Sequence, residues 1–172
     1  STLTQEIANS IFTNLHDNEY SDLEFLLYVV GSLHDDSHYG GSDDHSDKRD
    51  LLLDDGNHSI SREEIIEFFK KIFIFISNEV FAEYLKVNNN SLYLCAKYKV
   101  YELLTCQFDL FPNQIDISQH DTLYMACLKG DTKSVEFLIN KGFFASKYNK
   151  SPDYFCTTPL QIACDRNHLN CV

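Results

Sequence analysis

Six cysteines and seven histidines are the side chains of this 172-residue chain best suited to nucleophilic or metal chemistry. The cysteines are Cys95, Cys106, Cys127, Cys156, Cys164 and Cys171, all in the second half. A catalytic thiol needs a base within hydrogen-bond reach and something to lower its pKa. His120 and His168 lie in the same half, but no cysteine stands in a recognisable nucleophile context. None forms a CxxC pair, and several fall in apolar helical patterns, as buried reduced thiols would. His34, His38, His45 and His58 are interleaved with Asp, a weak chelating tract without the fixed geometry of a metal site. No Gly-rich phosphate loop, H-E-x-x-H or G-x-S-x-G occurs. These patterns predict no enzyme, no cofactor and no metal centre.

Oxygen-bearing residues recur at a more specific spacing between Leu53 and Glu64. This segment resembles the calcium loop of an EF-hand, with Asp55, Asn57, Ser61 and Glu64 on loop positions 3, 5, 9 and 12. Position 1, normally Asp, is Leu53, and position 6, normally Gly for a sharp turn, is His58. An acidic loop running into a capped helix accounts for the same residues. A calcium-responsive module is therefore kept as the alternative function.

Charge divides the chain. There are 26 acids and 14 bases, a net of −12. Residues 1–60 hold 13 of the acids and only two bases, Lys48 and Arg49, whereas the remainder is close to neutral. This balance opposes nonspecific nucleic-acid binding, which needs cationic side chains to displace counterions. It also opposes docking on an anionic membrane surface. The apolar run Ile72 to Ile76 is far too short to span a bilayer, and no basic stretch followed by an apolar one opens the chain. A cytoplasmic location is expected. The chain opens on Ser1 and closes inside a helical pattern, which reads as a fragment of a longer protein.

The elements that must position these residues are helical. Leu3, Ile7, Ile11 and Leu15 recur every four residues beside Phe12, predicting one helix with an apolar face. Ser21 and Glu24 offer a capping box for a second helix ending near Gly31, giving a helix pair over 1–33. Residues 34–59 carry eight Asp and little to bury, predicting a mobile acidic loop. Ser61 with Glu64 restarts order, and Ile65, Phe68, Phe69, Ile72, Phe73 and Ile76 form a stripe at helical spacing. A shorter helix with Val80, Phe81, Tyr84 and Leu85 follows, before Asn88-Asn89-Asn90. Residues 60–89 are expected to form a helical region capping what comes after.

The segment Asp121-Thr122-Leu123-Tyr124-Met125-Ala126-Cys127 pairs with Thr158-Pro159-Leu160-Gln161-Ile162-Ala163-Cys164, Leu, Ala and Cys recurring at an offset of 37. Asp116 and Asp153, and Val135 and Val172, keep the same offset. This resembles the ankyrin repeat, whose hallmark is T-P-L-H-x-A in a unit of about 33 residues. Thr158 to Ala163 keeps the hallmark with Gln161 in place of His, and the extra length falls between Gly142 and Asp153. Lys129-Gly130-Asp131, Val135 to Ile139, and Lys141-Gly142 follow the family's helix-turn-helix. Ser91 to Tyr98 reads as an earlier, degenerate unit without a Gly turn, with a shortened second helix over Val100 to Leu104. The repeats therefore span about 90–172, one degenerate, one full and one truncated, and further units are expected to follow. Gly130, Gly142 and Asn167 suit turns of positive φ.

The resemblance implies an all-α fold, an ankyrin-repeat helical solenoid with an N-terminal helical capping region. It implies noncatalytic protein–protein interaction, as a scaffold or targeting region, with an unidentified protein partner. Ankyrin arrays bind through the tips between units and the exposed start and end of each first helix. On this chain those positions are Ile117, Ser118, His120, Leu128 and Lys129 in one unit, and Tyr154, Phe155, Thr157, Asp165 and Arg166 in the next. Tyr148 lies in the lengthened segment between them. Aromatic groups beside an Arg are a composition common at interface hot spots. A catalytic domain in the remainder of a larger enzyme is the other alternative.

Overall fold

The structure is a computed structural model that describes residues 4–17, 22–34, 61–86, 90–118, 121–146 and 157–172. Among these residues every regular element is helical: α1 (Gln5–Asp17), α2 (Asp22–His34), α3 (Arg62–Phe75), α4 (Asn78–Leu85), α5 (Ser91–Lys97), α6 (Tyr101–Leu110), α7 (Thr122–Lys129), α8 (Thr132–Asn140), α9 (Pro159–Asp165) and a closing 3₁₀ turn (Leu169–Cys171). They form two compact units, Ser1–Val80 and Phe81–Val172. The expected helix pair, acidic loop and capping region reach beyond the described residues, which omit 35–60 and 87–89.

In the first unit, α3 packs against both α1 and α2. Its start is fixed by the expected capping box, the Ser61 hydroxyl accepting from the Glu64 amide at 3.2 Å and the Glu64 carboxylate accepting from the Ser61 amide at 2.8 Å. Ile65, Ile66, Phe69, Ile72 and Phe73 are buried, but Phe68, expected in the stripe, is 41% exposed. The apolar face of α1 is likewise rotated from expectation. Ala8 and Phe12 are buried while Ile7 is 45% exposed, because the Phe12 ring meets Phe73 edge-on at 5.9 Å and sets which side turns inward. Helix α2 runs through Gly31, which is buried, to His34 rather than ending at the glycine. Asn9 ties α1 to the end of α3 by accepting from the Ser77 amide at 2.9 Å.

The second unit is built from helical hairpins. The first helices α5, α7 and α9 lie side by side, α7 in the middle, and α6 packs on α8 in a second layer. Each hairpin turns the same way. Lys99 (φ 58°), Gly130 (φ 67°) and Asn167 (φ 58°) are all left-handed. After each, an amide reaches back five residues: Val100 to the Cys95 carbonyl at 2.8 Å, Asp131 to Ala126 at 3.0 Å, His168 to Ala163 at 2.8 Å. Those bonds satisfy carbonyls that a helix end leaves open. Two expectations for the earliest unit are therefore corrected: its turn is complete, formed by Lys99 in place of glycine, and its second helix is the full ten-residue α6.

The core differs between hairpins. Leu138 is buried in the second, and the equivalent place in the first holds Gln107, also buried. Gln107 accepts from the Ser91 hydroxyl and donates to the Leu103 carbonyl at 3.0 Å and the Cys95 sulfur at 3.5 Å. Thr122, equivalent to Ser91, buries its hydroxyl with no hydrogen-bond partner. Phe81 stacks on Phe111 at 3.9 Å and Phe108 meets Phe137 edge-on at 5.3 Å, closing the hairpins against one another.

Candidate protein-interaction surface

A residue can recognise a partner only if the fold leaves its side chain accessible and fixes its backbone. The shared turn fixes the backbone, placing Lys97 and Tyr98, Leu128 and Lys129, and Asp165 and Arg166 at equivalent points on successive first helices, and it leaves all of these but the buried Tyr98 at least partly accessible. Asp165 and Arg166 are exposed, and Leu128 and Lys129 are half-buried. The ammonium of Lys97 lies 5.1 Å from the Tyr98 ring centre. Neither Lys97 nor Lys99 is of a residue type that announces a hairpin turn. The recurrence of Leu-Tyr at 92–93 and 123–124 is the signal that aligns them.

At the opposite end of the first helices, Thr157 donates to the Tyr124 hydroxyl at 3.2 Å, linking adjacent units. Thr158 caps α9: its hydroxyl accepts from the Gln161 amide at 3.2 Å, while the Gln161 side chain accepts from the Thr158 amide at 2.8 Å. Gln161, which stands where the hallmark has His, is thus used as the returning arm of a capping box. Ser118 is exposed and donates to Asp116 from both its amide (2.9 Å) and hydroxyl (2.7 Å). Ile117 is half-buried, its Cδ1 3.1 Å from where a Cβ on Gly142 would lie. His120, Tyr148, Tyr154 and Phe155 lie outside the described residues.

Burial separates the two equivalent leucines. Leu123 is 2% exposed between α5 and α9, whereas Leu160 is 43% exposed. The difference follows from position in the stack, since α9 packs on α7 from one side only. Ala126 and Ala163 are both fully buried, as close helix approach requires.

The thiols of Cys95 and Cys127 are not activated. Burial pushes the Cys127 thiol up to about 12, and nearby Cys171 adds to the shift. Burial raises Cys95 further, only partly offset by its hydrogen bond from Gln107. No disulfide joins the described cysteines, and Cys164 is exposed. Among the described residues no group of three His, Cys, Asp or Glu is arranged to hold a metal, and no helix is long and apolar enough to cross a membrane. Of the calcium-loop candidates, Ser61 and Glu64 commit oxygens to the α3 capping box, and Asp55 and Asn57 lie outside the described residues.

Three successive turns thus share one left-handed residue and one bond back five residues. The family model for ankyrin repeats (3 copies) matches residues 74–172, more than half of the chain. The chain belongs to the ankyrin repeat family. The match begins ahead of residue 90, where the repeat pattern alone placed the start. Comparison with curated proteins and with solved structures found no match. Ankyrin repeats are in general protein–protein interaction modules and are typically noncatalytic.

Proposed function

We propose that this chain is a noncatalytic recognition region of a larger cytoplasmic protein, scaffolding or targeting it by gripping a protein partner. The observation that carries this reading is the common turn at Lys99, Gly130 and Asn167. It repeats one backbone frame while the side chains just before it change from unit to unit. A frame held constant under varied side chains suits recognition of an irregular protein surface. The partner contacts proposed are Ile117, Ser118, His120, Leu128, Lys129, Tyr148, Tyr154, Phe155, Thr157, Asp165 and Arg166. Raised thiol pKa values at Cys95 and Cys127 support the noncatalytic part.

Affinity capture from a lysate of the source cells tests this, with proteins identified by mass spectrometry and the leading partner then titrated directly. Two double variants, Tyr154→Ala with Phe155→Ala and Asp165→Ala with Arg166→Ala, should each weaken binding of that partner. Undiminished binding by both would remove this surface from contention.

A further inference from the structure

We draw no further inference here: the strongest candidate, the exposed apolar surface patch of the last hairpin (Leu160, Leu169 and Val172), carries nothing, because nothing in the structure shows what covers it.

Discussion

A thiol held away from water gives up its proton reluctantly, and Cys95 and Cys127 both show this. An unfolded cysteine titrates near 8.5. The folded chain keeps the Cys127 proton until about pH 12. Above about pH 8.5 the unfolded state releases protons that the folded state retains, so stability is full below that pH and falls as pH rises. Urea midpoints at pH 7 and pH 10 should show the drop, and Cys127→Ala should make it smaller. A second residue-scale prediction concerns Gly130. Its φ of 67° and the His168 ring, 2.6 Å from the place a Cβ would occupy, leave no room for a side chain. Gly130→Ala should cost roughly 2–3 kcal/mol by denaturant unfolding, from backbone strain and the displaced imidazole.

At the level of single elements, what the sequence reveals depends on whether a side chain states its own backbone requirement. Ser61 with Glu64 does, and α3 begins there as expected. Gly130, Gly142 and Asn167 do, and all three adopt positive φ. Lys99 does not, and the first turn is legible only in the bond from the Val100 amide back to the Cys95 carbonyl. The inward face of α1 departs from the sequence expectation because periodicity alone cannot rank Ile7 against Phe12. The candidate surface was legible at Asp165 and Arg166, which follow the hallmark, and not at Lys97 and Lys99, which follow no motif. Lys99→Gly should raise stability by about 1 kcal/mol, the cost of a left-handed side chain being removed. Thr158→Ala should lower it by about 1 kcal/mol through loss of the α9 cap. Thermal or urea melts of the full chain check both.

For the molecule as a whole, the offset of 37 residues revealed that hairpins stack, but not which ones are covered on both sides. Leu123→Ala should cost about 2–5 kcal/mol, as for a fully enclosed leucine. Leu160→Ala should cost well under half as much, its side chain being already 43% in water. Equal losses at the two positions would mean that α9 is as enclosed as α7. The comparison is made on one protein by urea unfolding, so every other term cancels.

One consequence of the Gln107 arrangement reaches past its own hairpin. An amide that must aim at a hydroxyl, a carbonyl and a sulfur tolerates almost no sliding, whereas greasy contacts such as those of Leu138 tolerate a good deal. The neighbouring hairpin inherited the hydroxyl at Thr122 without the amide to receive it. Replacing Thr122 by Val should therefore be neutral or favourable, while Ser91→Ala strands the Gln107 carbonyl oxygen and should be harmful. Two near-copies of one motif would then answer loss of the equivalent hydroxyl with opposite sign.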